Sequence, residues 1–345
     1  MQISRKQNKI LGQIPDPLTD HGQVTIYLDY KLEKVAEVVD VKLINGSFEL
    51  ADKFVANRIF VKLVVGFQTY LGATRHVNLA TLYNLRDIGG YEGPLGMIKW
   101  GWLYRSDALD HLSLSDRNFL EKLPIETVID LRSQKEIKQN PDQNIGEHDY
   151  FAIDPAAAVA AEASKIPTGK NHDQQKVEAF EKLAQTEAGR QKLKGMQQQM
   201  LIQMHDMVTQ PTSQESYAKF LRVILSSSGP VIYHCQGGKD RTGWGTVLLL
   251  GLLGIDDETI MADYLMTKKY NAPRNAKRMQ IYKQFTNNEF VLDYLHSLQL
   301  ATEEYLNSAL AALNQLASSY EDYAKRYLDF SSQDIENLRL KYLMK

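Results

Sequence analysis

One cysteine, Cys235, is the only sulfhydryl in 345 residues. No disulfide can therefore form within the chain, and a reducing compartment is expected. Long apolar runs are missing too: nothing reaches the roughly 18 residues a membrane span needs. The start, Met1-Gln2-Ile3-Ser4-Arg5-Lys6, is positive with no apolar stretch behind it, so no secretory leader and a cytoplasmic location are expected. The 8 histidines are scattered without ligand spacing, so neither a metal nor any other cofactor is expected. No charge sign dominates either. The 40 basic and 42 acidic residues leave a net charge of -2, which argues against bulk attraction to nucleic acid or an anionic membrane. What is present, 43% hydrophobic residues over this length, suits a folded protein of about two domains.

The one cysteine lies in His234-Cys235-Gln236-Gly237-Gly238-Lys239-Asp240-Arg241-Thr242-Gly243. Pro230-Val231-Ile232-Tyr233 before it predicts a short buried strand. Residues 243–253 after it predict a core helix closed by Gly254. A strand-to-helix turn of this kind offers unpaired amides and a positive dipole end, which together bind anions. Gly237 and Gly238 let the backbone curl so that successive amides point inward. Arg241 supplies a planar fork matched to two phosphate oxygens. The same field favours thiolate at Cys235. His234 is placed to order the loop through its ring nitrogens, and Thr242 to donate to the departing sulfur. A Walker-type nucleotide loop does not fit: Asp240 follows Lys239 where Ser or Thr is required, and Tyr233 occupies the leading glycine position.

This stretch resembles the Cys-x5-Arg signature of the protein tyrosine phosphatase superfamily, in the longer form of its bacterial tyrosine/lipid phosphatase branch. That branch is itself similar to atypical dual-specificity and phosphoinositide phosphatases. Three further segments resemble stretches that accompany the signature: Asn84-Leu85-Arg86-Asp87-Ile88-Gly89-Gly90, Tyr104-Arg105-Ser106, and Asp130-Leu131-Arg132-Ser133. The Asp263-Tyr264-Leu265 helix and the tail are also similar to family elements. The resemblance implies an α/β fold with a central sheet flanked by helices over residues 75–345. Arg86 and Asp87 are expected to serve structure.

Residues 1–20 suggest a loose lead-in. Residues 24–28, 38–44 and 59–65 predict strands, with a hairpin turn at Asn45-Gly46, giving a small β-rich unit over 1–74. A helical insertion is expected over about 155–223. In it Met196, Met200, Met204 and Met207 form one apolar stripe, either core packing or the inner face of a lid. Ala156-Ala157-Ala158-Val159-Ala160-Ala161 precedes that stripe, and Pro167-Thr168-Gly169 is expected to break the first helix. C-terminal helices are expected over about 300–345.

The expected reaction is phosphomonoester hydrolysis through a cysteinyl-phosphate, with Cys235 as nucleophile. Gln236, Gly237, Gly238, Lys239, Asp240 and Arg241 line the phosphate site, and His234 and Thr242 support it. The general acid is sought, in order, among Asp130 at a strand's carboxyl end, Asp240 in the loop, and Asp154. Lys239 beside Arg241 admits more negative charge than one phosphate carries. The resemblance therefore implies a phosphotyrosine protein substrate, with phosphoinositides or inositol polyphosphates as alternatives, unless Lys239 pairs with Asp240 or another rim acid. A non-catalytic phospho-ligand binding module is the alternative of another class.

Overall fold

The computed structural model describes residues 1–157 and 170–344. The chain opens with strands, and all of residues 2–73 serve two antiparallel sheets. Strands β1 (Gln2–Lys6), β2 (Lys9–Gln13) and β5 (Ser47–Ala51) form one, in the order β1-β2-β5. Strands β3 (His21–Tyr27), β4 (Val35–Lys42), β6 (Phe60–Val65) and β7 (Gln68–Ala73) form the other, in the order β4-β3-β6-β7. The first fifteen residues are thus not a loose lead-in. Ile3 and Ile10 are buried, and Gln7-Asn8 make a two-residue turn with φ of 49° and 60°, the left-handed values that a tight hairpin requires. Asn45 and Gly46 turn the chain as expected, with φ of 50° and 73°. The strand that follows nevertheless pairs with β2 rather than β4. A two-residue turn reverses direction but does not choose the partner.

The rest of the chain is built on a five-stranded sheet: β8 (Arg86–Asp87), β11 (Leu103–Ser106), β12 (Thr127–Asp130), β13 (Asp149–Ala152) and β14 (Val231–His234). Their order is β13-β12-β14-β11-β8. The central four are parallel and β8 runs antiparallel to β11. β14 lies in the middle, buried on both faces, which is why it is a continuous apolar run. In register, Asp130 and Ser106 both face His234, so three strands end at one edge of the sheet, next to Cys235. The helix Asp240–Leu252 leaves that edge through the core, and Gly254 ends it with φ of 82°.

Helices Lys170–Ala184, Glu187–Thr209 and Pro211–Ser226 occupy the predicted insertion. Met200, Met204 and Met207 are buried in the main core, as packing requires, whereas the Met196 side chain, the segment 158–161 and the expected break at 167–169 lie outside the described residues. The tail forms Glu303–Leu316, Tyr320–Tyr327 and Ser332–Tyr342, the last opened by a Ser331/Asp334 capping box. It ends in β15 (Leu343–Met344), which pairs with β10 (Gly96–Ile98); β10 also pairs with β9 (Glu92–Gly93). Among the described residues, no helix is long and apolar enough to cross a membrane.

The β-rich unit is fastened to the half that carries the Cys235 loop by a buried ion pair. Arg58 donates to Asp87 at 2.9 Å, while Asp87 also accepts from the amides of Gly89 and Gly101. Tyr30 meets Trp102 edge to face at 5.0 Å beside this contact.

Candidate active site

The loop between β14 and the helix Asp240–Leu252 is held from outside by side chains the sequence scatters over nearly 190 positions. Asn84 Nδ2 donates to the carbonyls of Gly237 (3.1 Å) and Gly238 (3.0 Å), Asn271 Nδ2 to Gly237 (2.9 Å), and Arg105 Nη2 to Gly238 (2.9 Å). Every one of these bonds engages a carbonyl. Pulling the carbonyls outward is what aims a curled backbone's amides at the centre. Gly238 adopts φ of 62°, and a Cβ there would lie 2.3 Å from the Ser106 carbonyl oxygen. Only glycine fits that turn.

Behind the loop sits Asp263. It accepts from Arg86 Nε at 3.1 Å and Arg105 Nη1 at 2.6 Å, all three groups being buried. Arg86 Nη1 also binds the Asn84 side-chain oxygen, which fixes the amide that reaches the loop. The Asn84–Asp87, Tyr104–Ser106 and Asp263 segments thus meet as one scaffold under the glycines.

Cys235 is 2% exposed. Burial alone would push its thiol up. The Arg241 guanidinium, together with the hydroxyl and amide of Thr242, outweighs that and leaves it below its ordinary value. Arg241 is itself held by a residue that the sequence reading missed. Glu136 accepts from Nη1 at 2.8 Å and Nη2 at 2.9 Å, and Nη1 also reaches the Leu131 carbonyl at 3.2 Å. Glu136 is the third residue of the helix Gln134–Gln139, capped reciprocally by Ser133. The Ser-x-x-Glu spacing directly after Asp130-Leu131-Arg132 was the available signal.

His234 is completely buried and faces two carboxylates. Its Nε2 lies 2.9 Å from Asp142 Oδ2, and its Nδ1 3.3 Å from the Cys235 carbonyl and 3.9 Å from Asp130. Burial would lower its pKa, but Asp142 and Asp130 push it up to about 9. The imidazolium therefore completes a buried charge network. Asp130, Asp142 and His234 are close enough together to suggest a metal site. Arg132 occupies that space instead: it binds Asp130 Oδ2 and Asp142 Oδ1, each at 2.7 Å.

Asp130 is completely buried. It accepts from Arg132 and, at 2.7 Å, from the Tyr150 hydroxyl. Burial opposes its ionisation, but His234, Arg132 and Tyr150 hold the carboxyl well below the usual carboxylate range. Asp240 has the opposite character. Burial pushes its carboxyl up, Lys239 and Arg241 restraining the rise, and Oδ1 has no hydrogen-bond partner. Asp154 is exposed after β13 and accepts from the Ala156 amide at 2.8 Å. Lys239 is buried with Nζ donating to the Leu298 (2.9 Å) and Leu300 (3.2 Å) carbonyls, 3.5 Å from Asp240. Gln236 is buried, with its amide 3.4 Å from Asp110.

A family model described as the tyrosine phosphatase family matches residues 77–344. The chain belongs to the tyrosine phosphatase family. It is a phosphatase, similar along most of its length to bacterial members. A Cupriavidus necator protein provisionally named a tyrosine-protein phosphatase is 26% identical over 265 residues, covering 76% of this chain and 86% of that protein. The triple specificity protein phosphatase PtpB of Mycobacterium tuberculosis is 28% identical over 215 residues, 60% of this chain and 74% of its own. A tyrosine-protein phosphatase of Nostoc commune is 29% identical over 126 residues. The matched region begins just after the β-rich unit ends.

Proposed function

We propose that this phosphatase hydrolyses phosphotyrosine in proteins through a covalent cysteinyl-phosphate. The observation that carries the reading is a buried thiol with a lowered pKa, set against Arg241 in a loop whose glycine carbonyls are tied outward. Cys235 sulfur attacks phosphorus, and the bond to the tyrosyl oxygen breaks. The loop amides and Arg241 stabilise the equatorial oxygens. The general acid protonates the leaving oxygen, and water then attacks phosphorus to release inorganic phosphate and regenerate the thiolate. No metal or organic cofactor is called on, and a thiol nucleophile suits a reducing, cytoplasmic setting.

For the acid, the geometry favours Asp240 over Asp130. A proton donor must hold its proton near neutral pH; Asp240's environment raises its pKa, whereas Asp130 is an engaged carboxylate. Asp130 is better suited to fixing Arg132 and His234 behind the loop. Asp154, exposed and turned to its own backbone, ranks last.

Dual specificity, including phosphoinositides, is the second reading, favoured by the triple specificity in the name of the Mycobacterium tuberculosis relative. The Lys239 ammonium, spent on two carbonyls, gives it no help.

The test pairs Asp240→Asn and Asp130→Asn with aryl phosphates of graded leaving group. Asp240→Asn should lose about 10²–10³-fold on poor leaving groups and less than about tenfold on good ones. An Asp240 variant equally slow on both sinks the assignment. Cys235→Ser should abolish turnover while retaining phosphopeptide binding. Unchanged behaviour would make the protein a binding module.

A further inference from the structure

Arg274, in the first turn of the helix Ala272–Tyr282, lies over the mouth of the signature loop: a Cβ on Gly237 would be 3.5 Å from its Nη1. Its Nη2 is shielded from solvent and has no hydrogen-bond partner. Two carboxylates are nearby, but both are engaged elsewhere. Asp107 accepts from the amides of Asn84 (2.9 Å) and Tyr83 (3.3 Å), and Asp110 lies 3.5 Å from Arg132. Burial and the neighbouring Arg278 lower the pKa of Arg274, and an approaching anion would relieve this. Arg274 as a whole is half-buried, but a shielded, charged donor left unused is costly unless a ligand meets it.

Arg274 forms one wall of a cavity of about 200 Å³, whose other walls include Tyr83, Asp110 and Gln236. Tyr83 also borders a second hollow of about 960 Å³, between the β-rich unit and the catalytic half. That trough contains Arg5, Lys6, Arg75 and Lys269, and the one carboxylate among its described residues, Asp52, is neutralised by Arg5 at 2.6 and 2.7 Å. Lys6 and Lys269 are exposed, and neither forms an ion pair among the described residues. In a chain of net charge -2 this is a local excess of positive charge. Because Tyr83 lines both hollows, a ligand reaching from Arg274 to Lys6 and Lys269 must span the two, which an extended chain, rising about 3.3 Å per residue, does more readily than a compact ring.

We propose that Arg274 and this trough bind acidic residues flanking the phosphotyrosine of a peptide substrate, Arg274 taking the nearest carboxylate and the β-rich unit supplying the trough's far wall. The proposal rests on the phosphatase reading above. The experiment therefore compares kcat/KM, at low and high salt, for 4-nitrophenyl phosphate, a phosphotyrosine peptide with neutral flanks and the same peptide with glutamate flanks.

Turnover of 4-nitrophenyl phosphate by the unaltered protein tests the phosphatase reading alone. The unaltered protein should prefer the acidic peptide by about tenfold at low salt, with the preference shrinking as salt screens it. Lys6→Glu/Lys269→Glu should abolish or invert that ratio, and Arg274→Met should lower it chiefly through KM. Equal rates on the two peptides, or a preference that survives the charge reversals, overturn the proposal while leaving the phosphatase reading intact. Preferential turnover of an inositol bisphosphate, lost on the same reversals, would assign the site to a compact polyanion and overturn it as well.

Discussion

Replacing Glu136 with glutamine removes one charge at nearly constant volume, from a residue whose work is to hold Arg241. In the native protein both Glu136 oxygens accept from the guanidinium, at 2.8 and 2.9 Å, with both side chains buried. Glutamine keeps one acceptor and turns an NH2 group toward the other nitrogen. One charge-assisted bond is lost, about 1.5–3 kcal/mol, and one buried donor is stranded, about 1–3 kcal/mol. Together these give roughly 2.5–6 kcal/mol, a range that brackets the roughly 3–5 kcal/mol usual for breaking a buried ion pair. The loss should appear as a lower urea midpoint with an unchanged m-value. The kcat/KM for 4-nitrophenyl phosphate should fall about 10²–10³-fold, because a misplaced guanidinium no longer meets the equatorial oxygens. The pH dependence of Cys235 alkylation decides between two meanings of that fall. If Glu136 positions Arg241, its loss lets the cation drift and the thiol pKa rises. If Glu136 merely tempers Arg241's charge, the cation stays, its field on the sulfur strengthens, and the thiol pKa falls. A fall, or full activity in the variant, refutes the positioning argument.

Two further outcomes are expected. The His234 imidazole is pushed up to about 9 in the folded protein, against about 6.5 unfolded. Its contribution to stability is therefore full below about pH 6.5 and drains away as the pH rises through 9. Because the lowered thiol pKa acts in the opposite sense near pH 8, this is best measured in Cys235→Ser. There, His234→Asn should flatten the decline in denaturant midpoint between pH 6.5 and 9, and an unchanged slope would remove His234 from the account. Gly238→Ala should lose at least about 100-fold in activity and its binding of tungstate. A side chain there is strained at φ of 62° and meets the Ser106 carbonyl at 2.3 Å. An alanine variant within threefold of the parent would show that the loop tolerates another path.

What could be seen in the sequence was whatever chemistry is local. The signature loop, the strand before it and the helix after it follow from neighbours a few residues apart. What could not be seen depends on partners far away in the chain. Arg241 and Glu136 are 105 positions apart, and nothing local to either announces the other. Of the two readings open for Lys239, the structure shows the pairing with Asp240, at 3.5 Å, for a geometric reason. It caps the helix two residues before Arg241, and residues two apart on a helix face nearly opposite sides. One side chain can therefore reach the sulfur while the other reaches the Leu298 carbonyl. Asp142 and Arg274 carried no pattern at all; only the fold brings them to the loop. The opening hairpin was overlooked because Gln7-Asn8 is a less familiar tight turn than Asn-Gly.

Having a single sulfhydryl, and that one 2% exposed, gives the protein a built-in clock. A thiol reagent can attach at one place only, and only while a fluctuation of the surrounding groups exposes the sulfur. At high reagent concentration its attachment rate becomes the opening rate itself; at low concentration it reports the fraction of time spent open. No engineered label or added cysteine is needed. Protection of that attachment by phosphate or a peptide would time how each ligand closes the site.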